Sequence, residues 1–260
     1  MALDFDALRK KLNQISGNSS RRNVLWRPEE GATSTVRFIS WQGEDEQPFK
    51  ERYFYYNIGN NPGILAPYQF GKPDPVQELI TKLRSDGSKS SYELAKKLYP
   101  KMRVYAPIVV RGEENRGVRI WSFGKMVYQS LLNLILDEDF GDITDTAQGF
   151  DIKVTCTKAP GRQFATTEIQ ARPKTSKLSD DANKVKEWLG KIPDLDDLYT
   201  LKTYEEIEKI VNDWLSGSDD DSDAKDENPR GSPNKPVVDV PKKASSFNDI
   251  DDAFAELEDL

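Results

Sequence analysis

The sequence predicts an α+β fold with a polar, acidic C-terminal tail, and three observations carry that expectation. Six segments rich in β-branched and aromatic residues are bounded by Gly, Pro or charged turns, the pattern of strands. Five further segments space their apolar residues as helices do, and they interrupt or follow the strands. From Gly217 the stretch GSDDDSDAKDENPRGSPNKP is charged, rich in Pro, Gly and Ser, and almost free of apolar residues. Such a composition buries too little surface to offset its ordering entropy, so the tail is expected to be disordered.

The elements follow in order. Residues 1–22 read as an arm: Phe5, Leu8, Leu12 and Ile15 fall at helical spacing, with the basic cluster Arg9, Lys10 and Lys11 among them and Arg21 and Arg22 beyond. The expected strands are STVRFISW (34–41), FKERYFYYNI (49–58), MRVYAPIVV (102–110), GVRIWSF (117–123), FDIKVTCT (150–157) and QFATTEIQA (163–171). RGEENRG (111–117) and KAPGR (158–162) read as hairpin loops. PVQELITKL (75–83) carries Pro75 early, where a missing N–H has no helical partner to lose. SSYELAKKLYP (90–100) offers Ser90 and Glu93 as a capping box and Pro100 as a stop. KMVYQSLLNLILDEDFG (125–141) is apolar nearly all round and should be a buried helix. DDANKVKEWLG (180–190) follows. TYEEIEKIVNDWLSG (203–217) opens on a second capping box, Thr203 with Glu206, and Ile207, Ile210, Val211 and Trp214 should form its buried stripe.

Composition narrows the chemistry. The 260 residues are 37% hydrophobic and 31% charged, enough for a real core with appendages. No apolar run approaches the ~20 residues that span a bilayer, and the first residues lack a signal-peptide core. The chain reads as soluble and intracellular. Its single cysteine, Cys156, excludes an internal disulfide. There is no histidine, which removes the commonest general base and makes a Cys/His zinc site impossible. No P-loop motif is present, and no carboxylate pair stands out, so the protein is not expected to be an enzyme.

Net charge is −7, the wrong sign for a nucleic-acid binder until its distribution is considered. Residues 218–260 hold 13 acids and 5 bases, and the rest of the chain holds 31 acids and 32 bases. The acidity belongs to the tail. The tail ends in SFNDIDDAFAELEDL, where Phe247, Ile250, Phe254 and Leu257 sit at i, i+3, i+7 and i+10. Four spaced apolar residues on a tether read as a docking motif for a partner protein.

The strands carry an unusual alternation. Side chains alternate across a strand, so Arg119, Trp121 and Phe123 share one face while Val118 and Ile120 share the other. Arg52, Phe54 and Tyr56 also share a face, as do Arg103 with Tyr105 and Arg162 with Phe164. Rings that stack bases beside cations that pair phosphates are what a single-stranded nucleic-acid platform needs; each stacked base contributes about 1–3 kcal/mol. The loop NNPGILAPYQFGKP adds Tyr68 and Lys72, and Tyr99, Arg111 and Lys125 flank the strands as further candidate contacts. The alternative is that the rings fill a second layer of core with arginine stems packed over them.

These segments, in order, resemble the single-stranded DNA-binding (helix-destabilising) protein family of T-even-type phages. STVRFISW followed by EDEQPF is similar to that family's first core strand and loop, VYAPIVV to its central strand, and GVRIWSFGK to its aromatic strand ending in F-G-K. FDIKVTC resembles its late hairpin, LKTYEEIEKIVNDWLSG its last core helix, and DIDDAFAELEDL its acidic terminus. The resemblance implies an OB-fold-like antiparallel β-barrel core at 23–217 with helical insertions, a basic N-terminal arm at 1–22 for cooperative self-assembly, and an acidic tail at 218–260 that recruits replication and recombination proteins. It implies sequence-independent single-stranded DNA binding in phage replication, recombination and repair, inside the infected host cell. Trp121 and Tyr105 would then contact bases, with Arg103 and Arg119 on phosphates. The family's best-known member holds a structural zinc with a histidine and three cysteines, two of them in C-P-V-C. Here the corresponding stretch is Asp74-Pro75-Val76-Gln77, so no zinc and no other cofactor is expected. Apolar packing of Ile64, Leu65, Val76 and Leu79 against the helix at 90–99 is expected in its place. A rival reading is a protein-interaction adaptor that uses the tail and binds no nucleic acid.

Overall fold

The structure, a computed structural model, describes residues 24–42, 47–161 and 164–217. The basic arm residues Arg9, Lys10, Lys11, Arg21 and Arg22, the hairpin residue Arg162, and the tail residues Phe247, Ile250, Phe254 and Leu257 lie outside the described residues.

The elements run β1 (Leu25–Trp26), β2 (Thr33–Phe38), β3 (Lys50–Tyr55), β4 (Ile64–Leu65), α1 (Pro75–Ser85), α2 (Lys89–Leu98), β5 (Lys101–Val110), β6 (Arg119–Phe123), α3 (Lys125–Leu136), β7 (Phe150–Thr157), β8 (Thr166–Thr175), α4 (Ala182–Gly190) and α5 (Tyr204–Leu215). The expected α+β class holds. All six expected strands and all five helices are present, with shifted ends. The short strands β1 and β4 had no periodic signal because two residues carry none.

The strands form one sheet in the order β1-β6-β5-β2-β7-β8, with β3 also on β5 and β4 on β3. The pairs are antiparallel except β1 with β6, which run parallel. β5 is the hub. It carries β3 along Lys101–Tyr105, β2 along Ile108–Val110, and β6 opposite Val104–Ile108.

Alternation on β5 sorts the core. Val104, Ala106, Ile108 and Val110 face inward with Val36, Phe38, Ile152 and Val154, and Val127 and Leu131 of α3 lie against them. Removing each such side chain from water contributes about 1.5–3 kcal/mol. The opposite face is covered by later chain. Tyr105, Phe54 and Ile120 pack under Leu195 and Leu198, and Ile39 and Val109 pack under Leu178 and Trp188.

α3 departs from expectation. Only Val127 and Leu131 are buried, while Met126 is 77% and Leu136 79% exposed. The helix lies on a sheet that offers one side, so one stripe of an all-round apolar helix is covered and the opposite stripe is not.

The helices α1, α2 and α5 form a lobe whose core is Tyr55, Ile58, Ile64, Ala66, Val76, Ile80, Ala95, Leu98, Ile207 and Val211. Ile64 and Val76 pack there as expected and Leu79 is partly buried, but Leu65 faces the other way, with Phe54 and Tyr105. α2 is capped by Ser88, which accepts from the Ser91 amide, not by the expected Ser90. The capping box of Thr203 and Glu206 at α5 forms as expected.

Candidate nucleic-acid interface

A groove of about 910 Å³ opens where the sheet ends meet. Leu25, Trp26 and Arg27 of the β1 region form one wall, and Thr166 and Thr167 of β8 contribute from the far end of the strand order. Between them lie Phe54, Tyr56, Arg103, Tyr105, Tyr199 and the start of α3. No ladder joins β1 to β8 among the described residues, so the groove occupies the seam that hydrogen bonding leaves open. Among the described residues Arg27, Arg103 and Lys125 line it and no carboxylate does.

That asymmetry follows from which arginines find partners. Arg52 is bound to Asp196 at 2.7 Å and lies over the Phe70 ring. Arg111 grips Asp151 through two nitrogens at 3.0 and 2.9 Å and donates to the Lys177 and Leu178 carbonyls. Arg119 is buried and pairs with Glu113 at 3.1 Å. Burial holds its guanidinium below the usual arginine range, and the Glu113 carboxylate counters that. These expected phosphate contacts are occupied by acids of the fold itself. Among the described residues no carboxylate pairs with Arg27, Arg103 or Lys125.

Arg103 and Lys125 converge on a helix end. Gly124 is the N-cap of α3 and supplies no capping side chain. Its Cβ position lies 3.8 Å from Arg103 Nη1. An uncapped helix N-terminus presents N–H donors and a partial positive charge, which attract an anion. Arg103 and Arg27 both lie close enough to the Tyr56 hydroxyl to act on it electrostatically. Burial raises the Tyr56 phenol above its ordinary range, and the two arginines pull it back.

The rings divide differently from expectation. β3 and β5 behave as read: Arg52 stands opposite Arg103, so the faces of Arg52 with Phe54 and of Arg103 with Tyr105 are one continuous face. β6 does not join it. Tyr105 pairs with Ser122, while Trp121 pairs with Ala106 and Phe123 with Val104. Arg119, Trp121 and Phe123 therefore share the inward face, and Trp121 is 1% exposed against Trp26, Phe38 and Phe123. Their edges only floor the groove. Phe54 and Tyr105 are also buried, held by each other and by Tyr199. Tyr56 and Tyr199 are the partly exposed rings of the wall among the described residues.

Other expected contacts sit outside the groove lining. Tyr68, Lys72 and Tyr99 are exposed on the lobe side. Phe164 is 74% exposed and immediately precedes Ala165, which lines the groove. Trp26, Arg27 and Tyr199 were missed. Trp26 and Arg27 form an aromatic-cation neighbour pair in LWRPEE, a signal that fell ahead of the first expected strand. Tyr199 sits in LDDLYT and reaches the site only by tertiary folding.

No curated protein matches the chain. The family model described as gp32 DNA binding protein like matches residues 30–214, well over half of the sequence, from just before β2 to within α5. Its span takes in the sheet from β2 to β8, the lobe to within α5, and the groove apart from the β1 wall at Leu25–Pro28. The chain belongs to the gp32-like family of DNA-binding proteins.

Proposed function

We propose that this protein binds single-stranded DNA without sequence preference and coats it cooperatively during phage replication, recombination and repair. The carrying observation is the groove: Arg27, Arg103 and Lys125 stand beside aromatic rings, and among the described residues none of them pairs with a carboxylate and no carboxylate lines the wall. Cations follow a phosphate backbone, and ring faces are useful only where base faces are free, as they are in a single strand. The mostly antiparallel sheet built around β5, with the groove at its open seam, supports an OB-type reading of the core. The protein holds strands apart by mass action, since whatever binds only one state shifts the equilibrium toward it. No chemical step is assigned to it. The basic arm at 1–22 joins neighbouring copies, and the acidic terminus at Phe247–Leu257 docks other replication proteins.

The test is binding of a labelled oligothymidine at rising salt, with a duplex of equal length as control. Three groove cations alone give a slope of about −2 in log affinity against log salt for a single strand. Preference for duplex, or affinity indifferent to salt, would sink the reading, and no binding of either DNA would favour the adaptor.

A further inference from the structure

Asp74 is 4% exposed and is the meeting point of three segments. Its Oδ1 accepts from the Val76 and Gln77 amides at 3.1 and 3.3 Å, which caps α1. Its Oδ2 accepts from the Tyr55 hydroxyl of β3 at 2.8 Å and from the Tyr68 amide at 3.2 Å. A carboxylate offers about four lone-pair sites, and four donors occupy them. One side chain thus fastens the helical lobe to the sheet and to the turn at Pro67–Phe70.

This is the first position of Asp74-Pro75-Val76-Gln77, where the zinc-bearing relative noted above has its Cys-Pro-Val-Cys. The donor set here does not fit a structural zinc, which wants thiolate and imidazole ligands. The chain has no histidine, and Cys156 is on β7, between β2 and β8, rather than in the lobe. A zinc ion on Asp74 would have to displace donors that already satisfy a buried charge.

We propose that the Asp74 carboxylate is the tie point of the lobe in place of a metal, so that the lobe closes by hydrogen bonds to one buried anion and needs no zinc. Asp74 performs the cross-linking a metal ion performs elsewhere, joining α1, β3 and the turn at Pro67–Phe70. The proposal is independent of whether the groove takes single strands.

The experiment uses the full chain without DNA. Thermal unfolding is compared with and without EDTA and with added zinc, for the wild type and for Asp74→Asn, Asp74→Ala and Tyr55→Phe. The wild-type melting temperature should be the same in all three conditions. Asp74→Ala should lower it by about 5–10 °C. Asp74→Asn should fall between, because asparagine still caps a helix but cannot accept from both Tyr55 and Tyr68. Amide exchange gives the local readout: in Asp74→Asn the Tyr68 amide should exchange faster while Val76 and Gln77 keep their protection. A wild type that melts lower in EDTA or higher with zinc would overturn the proposal, as would Asp74→Asn with unchanged melting and exchange. If Asp74→Ala does not fold, Asp74→Asn and Tyr55→Phe decide. Oligothymidine binding by the wild type, measured separately, tests the functional reading.

Discussion

The Tyr105 hydroxyl donates to the Tyr199 hydroxyl at 2.8 Å, and their rings meet edge to face with centroids 5.5 Å apart, across 94 positions of sequence. This contact lays the segment around Leu198 over the outer face of β5 and makes the inner wall of the groove. Tyr105 is therefore a structural ring that lines the site, not a free stacking platform. Tyr105→Phe keeps the ring and deletes the hydrogen bond. Its expected effect is a loss of about 1 kcal/mol in denaturant unfolding, with oligonucleotide affinity nearly unchanged.

The arginines separate by partner, and their substitutions should separate by readout. Arg103→Ala and Arg27→Ala should each flatten the salt dependence of single-strand binding by about 0.7 in slope and leave unfolding nearly as in the wild type. Arg111→Ala should leave the slope intact and cost about 1–2 kcal/mol of stability, because half-buried Asp151 loses its cation. A slope change in Arg111→Ala would return that residue to the interface.

Rings separate in the same way. Tyr56→Ala should weaken binding by about 1–3 kcal/mol, the range for a lost base stack. Trp121→Ala should cost about 3–5 kcal/mol of stability, the range for emptying a large core site. Parallel measurement of the unfolding midpoint and of oligothymidine affinity distinguishes the two, since each variant should move mainly one of them.

Glycine contacts make a sharper test. A Cβ on Gly63 would lie 2.9 Å from Tyr56 Cε1, and the backbone there favours glycine, so Gly63→Ala should displace the ring and lower affinity as well as stability. A Cβ on Gly149 would lie 2.6 Å from the Ile143 carbonyl oxygen and would also strike the buried Arg37 guanidinium. Neither neighbour can retreat easily, so Gly149→Ala should cost about 1–3 kcal/mol or more by overpacking. Equal effects of the two substitutions on affinity would contradict this assignment.

Alkaline pH should loosen the fold. Burial raises the phenols of Tyr55 and Tyr105 far above their ordinary value of 10.0, with Asp74 and Tyr199 respectively adding to the shift. Below that value both states keep the proton and stability is flat. Above it the unfolded chain sheds protons that the native state retains, so stability falls by about 1.4 kcal/mol per pH unit for each tyrosine. Arg37, lowered by burial to about 10 from 12.5, acts in the opposite sense over that window, as one group against two. Urea midpoints across this range should decline, and Tyr55→Phe should reduce the decline.

Sequence alone determined much of this protein. Period-two alternation marked the long strands, helical spacing marked all five helices, and Thr203 with Glu206 fixed the start of α5. It also marked Arg52 with Phe54, and Arg103 with Tyr105, as sharing a face of their own strands, because residues two apart on a strand must point the same way; the pairing of Arg52 with Arg103 joins those two faces. Tertiary structure alone decided which faces meet. Register pairs Tyr105 with Ser122 and turns Trp121 inward, and nothing within GVRIWSFGK encodes its neighbour's register. Pairing likewise decided which charges remain available: Arg111 finds Asp151 and Arg119 finds Glu113, while among the described residues Arg103 meets no acid. A strand's own pattern is local physics, but the availability of a cation or a ring depends on what the rest of the chain brings beside it.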